Sequence, residues 1–491
     1  MAGLLERRPD VTVGRSPATL AVLAERLAHP DSIVAALRGF PLPHLQVLEA
    51  LQALGERRTR RELGRLLAGE RCPEHEQAVD DVLTALAAAA LVWPGDGDRL
   101  EVVEGLADVF PTPLGLGPPL REVWDAQYAD AIGSAQRRLG GRSAGRKADL
   151  LEDLVTRLGD AALVRGRAAQ APPEVAAGLR QQAWVGTGDA ADDDVDAYAP
   201  ETYRRQAATR RWGLEHGLLA GSTYGFDAQM PAEIALALRG DAYQAPFDPY
   251  PPAVATREVA PEFVESAATA AVGAIATNAL ALLDRVARRP LALLNSGAIG
   301  VRELRRLATE LGIEEIEVRL VLELAAAGGL LEPGDHGLGV APGFGTWRQT
   351  EPADQVASLM KAWWAHPAVP TEARDSDGKG LPALRWREPC GGCQAARVVL
   401  LSTAGAMPPN AAGALSDVAT AALWKRPLVH VIPQDAAAPL ATVWREAELL
   451  GLLAAGALSR LGAALLAGDV AVVHDHLRRM LPAATEEAVF G

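Results

Sequence analysis

Apolar positions in the first hundred residues recur at helical spacing and stop at turn residues. Leu20, Leu23, Ala24 and Leu27 fall on one helical face after Ser16-Pro17, and Pro41-Leu42-Pro43 breaks that pattern. Three more helical runs follow over residues 45–54, 59–68 and 74–91, and Thr59 stands three residues before Glu62, the spacing of a capping box. Gly95-Asp96-Gly97-Asp98 then supplies a tight turn ahead of Leu100-Glu101-Val102-Val103, which predicts a short hairpin. Helix, helix, helix, hairpin is the order of a winged-helix module.

The end of that unit, a Leu-rich helix running through a turn into a short strand-like stretch, recurs. Residues 85–92 lead into 93–103, 215–219 into 220–224, 325–331 into 332–340, and 446–453 into 454–458. Recurrence of one supersecondary unit decides architecture before any single motif does. Second helices repeat as well: Arg61-Glu62-Leu63-Gly64-Arg65-Leu66 matches Arg302-Glu303-Leu304-Arg305-Arg306-Leu307, which favours duplication over chance. The predicted fold is mainly α, with tandem winged-helix modules and short β wings. Residues 1–43 make an N-terminal helical segment and 44–110 the first module. Residues 120–245 make the second, with a basic linker and an acidic loop, and 262–366 the third. Residues 367–392 read as a polar, mobile linker, and 393–491 as a degenerate fourth module with a closing helix. Pro-rich stretches at 111–119 and 245–261 separate the rest.

Composition supports helix over strand: 49% of the 491 residues are hydrophobic, chiefly Ala and Leu, while aromatics reach only 5%. Such a length predicts about three or four domains. No unbroken apolar run approaches the roughly 18 residues of a membrane span. The first ten residues carry four charges without an apolar core, so no signal peptide and no membrane partner are expected. Three cysteines argue against a disulfide framework and fit a reducing cytoplasm. The 48 Lys and Arg against 62 Asp and Glu give a net charge of −14. That balance opposes nucleic-acid binding by the whole surface and leaves a local basic patch open.

Catalytic patterns are missing from the sequence. No G-x-x-x-x-G-K-[ST] occurs, and the one Gly-Lys pair, Gly378-Lys379, precedes Gly380 inside a linker, so nucleotide hydrolysis is not expected. Cys390-Gly391-Gly392-Cys393 lacks the second ligand pair of a zinc site and reads as a loop with two free thiols, a redox or half-metal site being the alternative. His474 and His476, two apart, do not share a helix face and read as surface residues. Gly221-Ser222-Thr223-Tyr224-Gly225 misses the nucleophile-elbow spacing by one. No enzyme, cofactor or metal is expected.

A nucleic-acid surface remains, and the modules differ in it. The third helix of module one carries Glu74, Glu76, Asp80 and Asp81; that of module three carries Glu314, Glu315, Glu317 and Glu323 against Arg319. Both would be repelled by phosphates and read as solvated or partner-facing. Module two differs: its third helix, about 201–219, holds Arg204, Arg205, Arg210 and Arg211. Tyr203, Ala207, Leu214 and Leu218 fall at core spacing, which leaves Arg204 and Arg211 outward. The preceding linker adds Arg137, Arg138, Arg142, Arg146 and Lys147 without an acidic residue between them. Pairing of the helix arginines with the acidic loop at 189–196 is the competing reading.

Several stretches resemble actinobacterial helicase-associated proteins, which carry a region similar to the N-terminal part of XPB-type DNA-repair helicases. They are Leu4-Leu5-Glu6-Arg7-Arg8-Pro9-Asp10, Gln46-Val47-Leu48-Glu49-Ala50-Leu51, Met230-Pro231-Ala232-Glu233-Ile234-Ala235-Leu236-Ala237-Leu238-Arg239 and Trp444-Arg445-Glu446-Ala447-Glu448-Leu449-Leu450-Gly451. The likeness is strongest at Leu294-Asn295-Ser296-Gly297-Ala298-Ile299-Gly300-Val301-Arg302-Glu303-Leu304-Arg305-Arg306-Leu307-Ala308. The resemblance implies a non-enzymatic winged-helix protein linked to DNA transactions, repair among them, with no catalytic residues to carry over. It also implies that the family's further α/β domain, beyond Glu487–Phe490, is missing here. The expected partner is DNA, contacted through module two. The alternative is a scaffold that binds a helicase or repair protein through acidic helices and Ala/Leu faces. A ligand-sensing regulator would need a pocket.

Overall fold

The computed structural model describes residues 2–14, 17–68, 73–185, 200–221, 228–375, 377–387, 392–430 and 440–481. The chain is mainly helical with short antiparallel strand pairs, and divides into two compact units, Met1–Pro249 and Tyr250–Gly491.

The first unit begins with α1 (Ala2–Arg7), α2 (Leu20–Ala28) and α3 (Pro30–Leu37). They close around the fully buried Arg8, whose guanidinium bonds Asp10, Ser32 and the carbonyl of Ala89. Next come α4 (Leu42–Leu54), α5 (Arg60–Ala68), α6 (Pro73–Ala88) and the hairpin β1 (Val92–Pro94) and β2 (Leu100–Val102), with Val92 opposite Val102. Leu45, Leu48 and Leu51 recur at helical spacing and are buried, which explains α4. Thr59 Oγ1 accepts from Glu62 N at 3.1 Å and starts α5, but Glu62 turns to Arg65, so only half of the expected capping box forms.

Beyond α7 (Leu106–Val109) lie α8 (Leu120–Asp125), α9 (Ala129–Arg138), α10 (Lys147–Leu158) and α11 (Ala161–Ala168). After them come α12 (Pro173–Val185), α13 (Pro200–Glu215) and α14 (Ala232–Arg239). These pack Leu120, Trp124, Ile132, Leu154, Leu179, Leu218 and Ile234 into one core. The described residues of 120–245 thus form seven helices where three were expected. The β pairing described there is a bridge between Ala220 and Gln229. The expected wing, with Ser222, and the acidic loop at 189–196 lie outside the described residues.

The second unit opens with β3 (Thr256–Glu258) and α15 (Pro261–Arg288), then α16 (Val301–Leu311), α17 (Glu315–Ala327) and the hairpin β4 (Leu331–Gly334) and β5 (Gly337–Val340). α18 (Gly343–Gln349) and α19 (Pro352–Ala365) follow. The last stretch comprises α20 (Cys393–Gly405), β6 (Ala411–Gly413), α21 (Leu415–Lys425), α22 (Leu440–Leu449), β7 (Leu453–Ala454), β8 (Ala457–Leu458), α23 (Arg460–Ala467) and α24 (Val470–Met480). Two sets of three helices followed by a hairpin recur in this unit. In one, Leu291 bridges to Leu338 beside β4 and β5; in the other, Gly413 N donates to Gly456 O, joining β6 to the turn between β7 and β8. β6 also pairs with β3.

α15 is long and apolar enough in length and composition to cross a bilayer, which a search for unbroken apolar runs overlooks. It sends Val264, Ala268, Val272, Ile275, Ala279, Leu282 and Val286 into the core of this unit. α17 is enclosed: every side chain from Val318 to Ala325 is buried. Part of its cover is the stretch expected to be a mobile linker. Ala368, Val369, Thr371 and Ala383 are buried, and Arg319 Nη2 donates to Leu381 O at 2.6 Å. The described residues of 367–387 therefore form a packed strap. Polar composition misled here because the strap's partners are the buried charges of α17, about sixty residues away.

Candidate nucleic-acid interface

α9 ends in Arg137 and Arg138, cations in the last turn where the helix dipole favours them. Gln136, fully buried, donates to Leu150 O at 2.9 Å, and Gly141 N donates back to Gln136 O at 2.7 Å. Those two bonds reverse the chain through Gly140 (φ +76°) and push residues 142–149 outward, all exposed. Arg137 reaches only Ser134 Oγ, at 3.2 Å. Among the described residues no carboxylate pairs with Arg137, Arg138, Arg142 or Arg146. Lys147 does pair, with Asp125 Oδ1 at 3.3 Å.

α13 packs on α12 through Thr209 against Gly178 and through Gly213 beside Leu179. Its buried stripe is thus Thr209 and Gly213, leading to Leu218. Tyr203, expected in the core, is 58% exposed, and Ala207 and Leu214 are only partly buried. Small residues won the contact because two helix backbones approach closely there. Arg204, Arg205 and Arg211 are exposed as expected. Arg211 is held by Glu215 of its own helix at 3.0 Å, Arg210 is half-buried and engaged, and no described carboxylate pairs with Arg204 or Arg205. Gly217, just past α13, lies against Ala135 and Leu139. The C-terminal end of α13 therefore meets the end of α9 that bears Arg137 and Arg138. Arg204 stands about 16 Å back along the helix from that end.

The remaining sequence candidates fall into place around this surface. Glu74, Glu76 and Asp81 of α6 are exposed, and Asp80 pairs with Arg60. In α17, by contrast, Glu314 at its start is exposed and Glu315 and Glu317 are half-buried, while Arg319 and Glu323 are buried, at 1% and 6% exposure, so only the first turn of that helix is solvated. Burial raises the Glu323 carboxyl above its ordinary value against the pull of Arg387 and Arg319. Arg239 was not singled out by sequence. It lies between the rings of Trp184 and Tyr243, 5.0 and 4.9 Å from their centroids, and ties α14 to Ala183 O and Leu114 O.

Cys393 starts α20, is 2% exposed and is disulfide-bonded, which corrects the reading of two free thiols and removes that argument for a reducing compartment. Cys390 lies outside the described residues. His474 Nδ1 sits 3.1 Å from Asp354 Oδ1 and joins α24 to α19. No cluster of three or more His, Cys, Asp or Glu able to hold a metal occurs among the described residues. No protein-family model, curated protein or solved structure matches the chain.

Proposed function

We propose that this protein is a non-enzymatic, DNA-associated accessory protein of tandem winged-helix type, placed with helicases or repair, and that it holds DNA through the basic surface of its first unit. The observation that carries the reading is the set of exposed arginines, Arg137, Arg138, Arg142, Arg146, Arg204 and Arg205, with no carboxylate partner among the described residues. Cations with no carboxylate partner among the described residues, in a chain of net charge −14, are candidates to displace counterions from phosphates. Two hairpin-ended units of the second half lend the winged-helix reading its support, although α17, in the position of a recognition helix, is closed off by the strap.

The test is fluorescence anisotropy with single-stranded, duplex and forked DNA across a salt series. Wild type is expected to show a log–log slope of about −3 or steeper, and the variant with Arg137, Arg138, Arg142 and Arg146 changed to Ala to lose most of it. No binding at low salt would sink the proposal. The competing scaffold reading draws on a surface cavity of about 490 Å³ lined by Val11, Val13 and Val22 with Asp10, Glu25 and Asp31. Val13 is 76% exposed there. A pure scaffold binds none of the three DNAs.

A further inference from the structure

The strap over α17 folds back on itself and carries an indole into solvent. Leu381 N donates to Ala373 O at 2.8 Å and Asp375 N to Lys379 O at 3.0 Å, with Arg374 bridged to Gly380. Ala383 and Ile299 exchange backbone bonds of 2.8 and 2.9 Å. Leu384 N donates to Glu323 Oε1 at 2.8 Å, and Arg387 Nη1 to Val369 O at 2.6 Å. Backbone bonds hold the chain before Trp386 and the Arg387 side chain holds it after, yet Trp386 itself is 83% exposed. A pinned segment holds such a ring out in a fixed orientation at low entropic cost for a partner.

The surroundings are cationic. Arg385 and Arg387 flank the ring, and with Arg319 they gather near Glu323, while Glu372 takes Arg385 at 3.1 Å. Three guanidiniums, Arg319, Arg385 and Arg387, thus share two carboxylates, Glu323 and Glu372, which leaves the cluster with one positive charge in excess. Farther along the hairpin Arg374 and Lys379 are exposed, and no described carboxylate pairs with either. Gly380 lies against Val301, which brings Lys379 onto backbone neighbouring the exposed, unpaired Arg302. Asp375 and Asp377 share the tip and offset Arg374 and Lys379 in charge, Asp375 Oδ1 accepting from Lys379 N at 2.7 Å, so the positive excess of this surface comes from Arg302 and from the arginines that outnumber Glu323 and Glu372 beneath it. No other large apolar side chain of 367–387 is exposed among the described residues. A protein would therefore meet one indole among cations without an apolar floor, whereas a nucleotide strand uses both.

The geometry points to a contact element for single-stranded nucleic acid in this hairpin, with a base stacked on Trp386 and neighbouring phosphates met by Arg374, Lys379 and Arg302. Stacking on an aromatic face needs no particular base, and the cations supply the backbone contact. Trp386 stands seven positions after Lys379, so the two lie at most roughly 25 Å apart, a span of no more than a few nucleotides. The inference shares with the proposed function only the need for nucleic acid; its residues are different.

The experiment titrates the full chain against labelled oligo-dT of about 20 nucleotides and a duplex of equal length. Trp386→Ala is expected to weaken oligo-dT binding about tenfold with the salt slope and duplex affinity unchanged, and Trp386→Phe to restore most of the loss. The triple variant Arg302→Ala, Arg374→Ala, Lys379→Ala flattens the single-strand slope by about 2. Oligo-dT affinity of Trp386→Ala within about twofold of wild type overturns the inference. If, in that case, the variant lacking Arg137, Arg138, Arg142 and Arg146 still loses binding, the first-unit reading stands and only this one falls. A wild type that binds no DNA removes both. Since the indole is exposed, Trp386→Ala is expected to melt with wild type, which separates lost contact from lost fold.

Discussion

Glu446 is fully buried and accepts from Trp363 Nε1 at 2.7 Å, from Thr371 N at 2.9 Å and from Thr371 Oγ1 at 2.6 Å. Burial raises its carboxyl above the ordinary value, against those three bonds and the nearby charge of Arg397. All three neighbours are donors, so Glu446→Gln turns an NH₂ against a donor and is expected to cost about 2–3 kcal/mol in a urea melt. Fully buried Arg397 donates to the carbonyls of His366 and Ala368 and lies over the Trp363 ring, 5.1 Å from its centroid. Burial first, then the charges of Arg397 and Arg387, pull the imidazole of His366 down to about 4. A folded value below the unfolded one means that the unfolded chain takes the proton first, so this contribution is lost as pH falls through about 6.5 toward 4. Between pH 7 and pH 5 the loss amounts to about 1–2 kcal/mol once partial exposure is allowed for. Raised Glu446 acts in the opposite sense, favouring the folded state as pH falls. Comparing wild type with His366→Gln by urea melts at both pH values isolates the histidine. The variant should lose less stability on acidification, and an equal loss would show that His366 titrates normally in the folded chain.

Hairpins of similar appearance are held differently at the level of elements. Gly97 (φ +65°) turns the first hairpin with open space where a side chain would go, whereas at Gly337 (φ +115°) a Cβ would collide with Leu291 O. Gly97→Ala is therefore expected to cost about 1 kcal/mol of backbone strain, and Gly337→Ala at least about 2–3, because the second also breaks the Leu291 to Leu338 bridge. Equal shifts in thermal denaturation would refute that distinction. The same contrast explains what was legible in sequence. α4 to α6 and β1–β2 follow from local periodicity and a local turn, so their order and spacing could be read directly. The basic stretch at 137–147 was legible because a run of like charge stands out. Tyr203 was misplaced since two small residues, Thr209 and Gly213, made the helix contact, and apolar spacing does not weigh closeness of approach. The strap escaped notice because Leu384 and Arg387 depend on Glu323, more than a turn or a helix away. A lone Trp386 between two arginines gives no periodic signal at all.

At the scale of the whole molecule, each major core belongs to one unit. The core built on α8 to α14 lies within Met1–Pro249, and that running from Val272 to Leu477 within Tyr250–Gly491. The first unit also claims residues that composition assigned to a Pro-rich linker. Ala245 is buried and its N–H donates to Leu66 O at 2.8 Å. Asp248 and Gln46 form a reciprocal pair, Gln46 Nε2 donating to Asp248 Oδ2 at 2.7 Å and Asp248 N to Gln46 Oε1 at 2.8 Å. Phe247 meets His75 edge-on, 5.9 Å between centroids. A cut after Pro249 keeps all of these, whereas a cut after Gly240 removes them together with the Tyr243 side of the Arg239 stack. The fragment 1–249 is thus expected to melt cooperatively, within about 2 °C of a transition in the full chain. The fragment 1–240 loses hydrogen bonds and buried surface worth about 2–3 kcal/mol, and for a unit of this size should melt about 5–10 °C lower. Circular dichroism on the two fragments decides the matter. Equal melting of both would mean that residues 241–249 add nothing to the fold, and failure of 1–249 to fold would mean that its core needs the second unit.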